Sequence, residues 1–342
     1  MIRVLVVDDS ATSRSLLVEI LSADADIEVI GTARDGDQAA AMARRLQPDL
    51  ITMDIEMHSG NGFQATQRIM AENPVPIVIV TARSSIYAFD TAMDALRAGA
   101  LTVTAKPNGP GSSQFASDCE SLIETVKLMV DVKVVRRTGS TGIVGRPCET
   151  LDTPPAAVVA IASSTGGPAA LHRVFRELPQ SFSTPILVVQ HISHGFIDGL
   201  ARWLDRHVAC HVKVAEHAEP LRGGTVYLAP DDHHLGVSSD GASILLTHSA
   251  RIGGFRPSAT YLFESVAAAF GPSAAGMILT GMGNDGVAGL RAVKEHDGSV
   301  IAEDESTCVV FGMPGSAIDA GLVDVVLPLP LVASRLRAMV VS

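Results

Sequence analysis

Short apolar runs alternate with helix-period segments through the first 110 residues, and this alternation leaves little choice of architecture. Residues 4–7 are a continuous apolar run, as a parallel strand covered on both faces requires. Residues 13–21 follow with apolar side chains at helical spacing. The same alternation predicts strands at 28–31, 49–53, 77–80 and 101–104, and helices at 38–46, 62–71, 88–98 and 115–135. Units this short close into an open, doubly wound, five-stranded parallel sheet of the α/β class.

Residues 136–154 hold no sustained apolar period and are rich in Gly, Pro, Ser and Thr, so they read as a linker between a domain at 1–135 and a second at 155–342. Strand-like runs resume at 158–161, 186–189, 226–229, 244–246, 277–279 and 325–327. Helical stretches at 169–178, 197–205, 260–270 and 287–296 separate several of them, which predicts a second α/β domain. No helical period lies between the runs at 226–229 and 244–246, so these two are expected to pair as an antiparallel hairpin.

A net charge of −11, with no basic segment in either half, argues against a nucleic-acid partner. Four scattered cysteines suit a reducing compartment, and no apolar stretch approaches the roughly 18 residues that span a bilayer. The N-terminus opens on a strand-like run instead of a basic, apolar leader, so the expectation is a cytoplasmic protein without membrane insertion.

In doubly wound sheets, ligands gather at the carboxyl ends of the strands. Asp8 and Asp9 follow the first strand, Asp54 the third, Thr81 the fourth and Lys106 the fifth. A single aspartate there is an ordinary turn former. Three converging carboxylates repel one another and favour a divalent cation with oxygen ligands, and the lysine and hydroxyl alongside suit a phosphoryl group. On Asp8-Asp9-Ser10, Asp54, Thr81 and Lys106-Pro107, residues 1–110 resemble a response-regulator receiver domain. The resemblance implies Asp54 as phosphoacceptor, with Mg²⁺ held by Asp9, Asp54 and the backbone carbonyl of Glu56, and Asp8 nearby. It also implies Thr81 and Lys106 as phosphoryl contacts, and a histidine kinase as phosphodonor. Two positions depart from the family pattern: His58, where Pro is frequent, and Val103, where an aromatic switch residue is usual.

In the second domain, Ser163-Ser164-Thr165-Gly166-Gly167-Pro168 runs from a strand into a helix. A hydroxyl there stands near free backbone N–H groups and the positive end of the helix dipole. The same residues also suit a helix cap or a phosphate-binding turn. A serine nucleophile needs a base and the base an orienting acid. His191 closes the run at 186–189, and Asp285 follows the run at 277–279. Two histidine pairs, His207/His211 and His233-His234, lack a third metal ligand at convincing spacing and read as loop or surface groups.

On residues 161–167, Gln190-His191, Phe255-Arg256-Pro257-Ser258, residues 281–286 and residues 308–314, this domain resembles the chemotaxis methylesterase family CheB. With the receiver in front, the resemblance spans nearly the whole chain. It implies an α/β hydrolase-like doubly wound domain with Ser164 as nucleophile, His191 as general base and Asp285 as orienter, and no cofactor for the ester chemistry. Backbone N–H groups near Thr165 and Met282 would bind the oxyanion, and Arg256 would contact substrate. The implied reaction is phosphorylation-regulated hydrolysis of glutamate γ-methyl esters on methyl-accepting chemoreceptors, with glutamine deamidation as the same acyl chemistry. Another reading is a phosphorylation-controlled adaptor that binds receptor or kinase through a degenerate hydrolase domain. The intact Ser164, His191 and Asp285 weigh against it. A DNA-binding output domain does not fit an acidic second domain of βα alternation.

Overall fold

A computed structural model describes residues 1–57, 62–82, 86–130, 132 and 155–339. The expected linker at 136–154 and the departure at His58 lie outside the described residues. The chain divides into two compact units, Met1–Gly142 and Ile143–Ser342. No helix among the described residues is long and apolar enough to cross a membrane.

The first unit alternates β1 (Ile2–Val7), α1 (Ala11–Ser22), β2 (Ile27–Ala33), α2 (Gly36–Leu46), β3 (Leu50–Met53), α3 (Gly62–Glu72), β4 (Ile77–Thr81), α4 (Ile86–Ala98), β5 (Thr102–Ala105) and α5 (Phe115–Val130). Its five strands are parallel in the order β2-β1-β3-β4-β5. The direction of winding reverses beside β1, which opens a crevice at the carboxyl ends of β1 and β3. Val4 to Val7 and the whole of β4 are buried, the double-sided covering that the unbroken apolar runs anticipate.

The second unit contains β6 (Val158–Ser163), α6 (Gly167–Phe175), β7 (Ile186–Gln190), α7 (Ile197–His207), β8 (His211–Val214), β9 (Thr225–Leu228), β10 (His234–Val237), β11 (Ile244–Thr247), α8 (Ala259–Phe270), β12 (Ala274–Ile278), α9 (Val287–Glu295), β13 (Ser299–Glu303), α10 (Met313–Asp319), β14 (Val325–Leu327) and α11 (Leu329–Ala338). Seven strands form a parallel sheet in the order β14-β13-β12-β6-β7-β9-β8. Here winding reverses at β6, flanked by β12 on one side and β7 on the other. The three strands that precede Ser164, His191 and Asp285 are therefore adjacent in space.

One pairing differs from expectation. The run at 226–229 does not pair with the run at 244–246: it becomes β9, an inner strand of the parallel sheet. The antiparallel partner of β11 is instead β10, in a separate two-stranded ribbon with His234 opposite Thr247. Alternation alone cannot separate these outcomes, because the short β10 run His-Leu-Gly-Val has a polar start and a glycine. Its glycine has a packing reason: a Cβ on Gly236 would lie 2.5 Å from the Ser265 hydroxyl on α8.

The core of this unit lies under α8 and α9, where Leu262, Phe263, Ile278, Leu290 and Val293 are fully buried. Gly289 lets these helices approach closely: a Cβ there would sit 2.5 Å from the Thr260 carbonyl oxygen and 2.8 Å from the Phe263 Cβ. Alanine at this position gains up to about 1 kcal/mol of helix propensity, but the backbone carbonyl it meets cannot move aside cheaply. Gly289→Ala is therefore expected to destabilise the protein by about 1–3 kcal/mol in urea or thermal unfolding.

Candidate active site

In the first unit, carboxylate oxygens of Asp8, Asp9 and Asp54 lie within 4.8 Å of one another. The Lys106 ammonium bridges two of them, 2.8 Å from Asp8 Oδ2 and 2.6 Å from Asp54 Oδ2. Asp8 also accepts from the Ser10 N–H and the Ser13 hydroxyl, and Asp54 from the Glu56 N–H. Burial pushes the Asp54 carboxyl above its ordinary value, and the Lys106 hydrogen bond and charge only partly offset this. Burial acts on Lys106 in the opposite sense, but the hydrogen bonds and charges of Asp54 and Asp8 outweigh it and raise the lysine. Thr81 is fully buried and its hydroxyl meets no partner among the described residues. An orphaned hydroxyl, a lysine and three hard-oxygen donors around one point form a set that a divalent cation and a phosphoryl group would satisfy. Val103 is buried within β5 and carries no ring that could swing.

In the second unit, β6 delivers two successive serines to different environments, because neighbouring strand side chains point to opposite faces. Ser163 is fully buried and donates to Gln190 Oε1 at 2.7 Å, whereas Ser164 is partly exposed just past the strand. The Ser164 N–H donates to the Thr280 carbonyl at 3.0 Å. Among the described residues, neither the Thr165 nor the Met282 N–H meets an acceptor. Gly166 turns the chain into α6 at φ 80°, and a Cβ there would lie 2.6 Å from the Val309 side chain. Gly281 passes directly against the serine, since its Cβ would fall 2.7 Å from the Ser164 Cβ.

His191 leaves the end of β7 and places Nε2 3.1 Å from Asp285 Oδ2. The ring is turned off the line that a hydrogen bond needs, the loose alignment common in ligand-free catalytic sites. Asp285 is buried at the N-terminus of α8, where its carboxylate accepts from the Ser258 hydroxyl (2.8 Å), the Ala259 N–H (2.7 Å) and the Thr260 N–H (3.3 Å). Burial alone would raise this carboxyl. His191, the Ala259 N–H and the Ser258 hydroxyl together outweigh burial and hold it below its ordinary value, so it stays ionised. The sign for stability follows from a lowered folded-state value. The contribution is complete above the ordinary carboxylate range and is lost as pH falls through the lowered one.

The CheB methylesterase family matches residues 159–336, and the response regulator receiver domain family matches residues 4–113. The chain belongs to the CheB methylesterase family. It is 50% identical over 337 residues to "protein-glutamate methylesterase/protein-glutamine glutaminase 3" of Anaeromyxobacter dehalogenans, covering 98% of each chain. It is also 50% identical over 345 residues to the similarly named protein 4 of Myxococcus xanthus, covering 98% of this chain and 96% of that one. The crystal structure of the Thermotoga maritima CheB methylesterase catalytic domain aligns with a TM-score of 0.53 at 42% identity, covering 54% of this chain and 99% of that chain.

Other residues around this CheB-type rim have roles that the motif reading did not separate. Arg256, expected to contact substrate, holds its guanidinium on its own loop and on Asp232. Nε and Nη2 donate to Asp232 Oδ1 at 2.9 and 2.7 Å, and Nη1 donates to the His248 and Ser249 carbonyls. It thus ties its own loop down, and Phe255, one residue earlier, reaches the rim. His234, read from sequence as a loop or surface group, is fully buried. Its Nδ1 accepts from the Ser258 N–H and its Nε2 faces the Ala250 carbonyl, so it supports the serine that holds Asp285.

Thr280 is a hub with no motif signal. Its hydroxyl donates toward the Thr165 carbonyl at 2.9 Å and accepts from the Val309 and Val310 N–H groups. Its own N–H donates to Glu303, a carboxyl that burial pushes upward. Gln190 is a second clamp, whose amide donates to the Ser164 and His191 carbonyls, both at 2.8 Å. Gln190→Leu would remove the donor from both carbonyls, at a cost of about 1–3 kcal/mol for each group left unpaired. We expect a lower melting temperature together with loss of hydrolytic rate, read by calorimetry and turnover on the same preparation.

Proposed function

We propose that this chain hydrolyses glutamate γ-methyl esters on methyl-accepting chemoreceptors and deamidates receptor glutamines, under control of phosphorylation at Asp54. The observation that carries the reading is the buried, ionised Asp285 within 3.1 Å of His191, on the rim where Ser164 emerges. The full-length similarity to proteins named methylesterase/glutaminase supports it. An adaptor that merely binds would have no need to hold a charged carboxylate beside an imidazole in a buried site, where an unpaired charge costs several kcal/mol.

Ser164 is the nucleophile. With Nε2 of His191 on Asp285, Nδ1 is the ring nitrogen that takes the Ser164 proton as the hydroxyl attacks the ester carbonyl. The Thr165 and Met282 N–H groups bind the oxyanion of the tetrahedral intermediate. Collapse returns the proton from His191 to the leaving oxygen, methanol departs, and a glutamyl-serine ester remains. His191 then activates water, which releases the glutamate carboxylate and restores Ser164. With a glutamine substrate, ammonia leaves in place of methanol. Asp285 orients the imidazole and stabilises its protonated form. Arg256 fastens the loop that carries Phe255.

In the receiver, Asp54 accepts the phosphoryl group from a histidine kinase. Asp8, Asp9, Asp54 and the Glu56 carbonyl are the residues that would hold Mg²⁺, which supplies charge neutralisation during in-line transfer. Lys106, which pairs with Asp8 and Asp54, and the orphaned Thr81 hydroxyl are the donors available to the phosphoryl oxygens. Phosphorylation adds about −1.5 to −2 charges at this one point. The same reading places the protein in the cytoplasm, where receptor tails and kinase are accessible.

Three outcomes test this reading on the full chain with methylated receptor, measuring methanol release. Ser164→Ala should abolish turnover, whereas Ser163→Ala, which loses one buried hydrogen bond worth about 1 kcal/mol, should retain most of it; the opposite ranking sinks the nucleophile assignment. A small phosphodonor with Mg²⁺ should raise the rate. Asp54→Asn should abolish that stimulation while keeping the basal rate, and stimulation surviving in the variant would reassign the phosphoacceptor.

A further inference from the structure

The loop before α8 touches both partners of the nucleophile. Ser258 and Ala259 hold the Asp285 carboxylate. Three residues earlier, the Phe255 ring lies flat on the His191 imidazole, with centroids 4.4 Å apart and planes 8° from parallel. The turn that presents it is closely specified. Ile252 and Phe255 exchange both backbone hydrogen bonds, at 3.1 and 2.9 Å. Gly253 and Gly254 between them sit at φ 58° and 91°, a two-residue turn that side chains with a Cβ rarely adopt. Arg256, locked onto Asp232 and two carbonyls, anchors the far side of the turn.

Hydrophobic burial does not account for this placement. Phe255 is 38% exposed, one of few large apolar side chains in the described residues that are so open. A turn this constrained, holding an exposed aromatic face against one imidazole, makes sense in terms of what the imidazole does. An aromatic face carries negative electrostatic potential and attracts a cation stacked on it.

We infer that Phe255 is a positioning residue for the proton transfer, fixing the plane of His191 and favouring the imidazolium that exists between attack and collapse. The inference rests on His191 being the base. In that cycle the ring gains one proton from Ser164 and returns it to the leaving group, so the imidazolium is transient and any group that stabilises it lowers both barriers. Asp285 does so from the ring edge and Phe255 from the ring face. Among the described residues, the other titratable groups near this loop have partners of their own: Asp231 with His194 and the Gly195 N–H, Asp232 with Arg256, Arg251 and His248, and His233 with the Asp231 carbonyl and the His248 ring. Asp285 and Phe255 are therefore the groups positioned to act on the ring directly.

The test compares Phe255→Leu and Phe255→Tyr in the full chain, using methanol release from methylated receptor across pH. Leucine keeps the apolar bulk but removes the π face. It should lower kcat by about 3- to 10-fold with KM little changed, as expected for a lost cation–π contact at a partly exposed site. The acidic limb of the kcat profile should also move to lower pH, by about half a unit. Tyrosine should restore both. A leucine variant with normal kcat and an unmoved limb overturns the inference. So does a loss confined to KM, which would make Phe255 a substrate contact, and so does a tyrosine variant as slow as leucine. NMR titration of the His191 imidazole, with and without Phe255→Leu in a Ser164→Ala background, gives the same comparison without turnover. An unmoved midpoint there overturns it independently. Failure of the underlying reading is separate, because then His191→Gln would keep its activity whatever residue occupies position 255.

Discussion

A carboxylate held ionised inside a protein is the constraint around which the second unit is organised. Removing Asp285 from water disfavours its charge, and the compensation comes from His191 and from the first turn of α8, where the Ser258 hydroxyl and the Ala259 and Thr260 N–H groups converge on it. Those donors exist because a helix start leaves its first N–H groups unpaired. The close α8–α9 contact through Gly289 and the buried His234 beneath Ser258 keep that helix end against the β12–α9 loop. Without this arrangement His191 would lose the carboxylate 3.1 Å from its Nε2.

The receiver unit meets the opposite electrostatic problem with similar architecture. Three carboxylates crowd the carboxyl ends of β1 and β3, and a single lysine from beyond β5 bridges two of them. The second unit disperses one negative charge over His191 and helix N–H groups, whereas the first concentrates three carboxylates around one point. A concentrated acidic site is suited to a metal and a phosphoryl group, and a neutralised one to a proton relay. Both lie where the winding of a parallel sheet reverses, because only there do the chain segments leaving two adjacent strands diverge and open a crevice.

Much of this was legible in the amino-acid sequence. The β1 and β4 runs are apolar without interruption, so their burial on both faces follows from composition. Asp8, Asp54, Ser164 and His191 each stand just past a strand, and Asp285 in the loop that follows one, placements that local periodicity reveals. Less was legible where identity and environment part company. Arg256 stands in a motif, but its bonds to Asp232 and to the His248 and Ser249 carbonyls come from other parts of the chain that no local pattern records. His234 sits in a polar stretch, yet it is buried because its ring stacks on Tyr261 and both nitrogens find backbone partners. Thr280 and Glu303 carry no motif, since their importance comes from what surrounds them. β10 was hidden by its glycine, whose purpose is contact with α8.

The sequence by itself determined the α/β class and most of the strands and helices, though not β8, β10, β13, α10 or α11. Those properties depend on side-chain period and turn chemistry within about ten residues. Only the tertiary structure decided that β12 and β7 flank β6, so that three distant segments share a rim, and that Phe255 covers the face of His191. Strand order and stacking are set by packing between parts of the chain far apart in sequence, and no local pattern records which of several apolar strands will pack beside which.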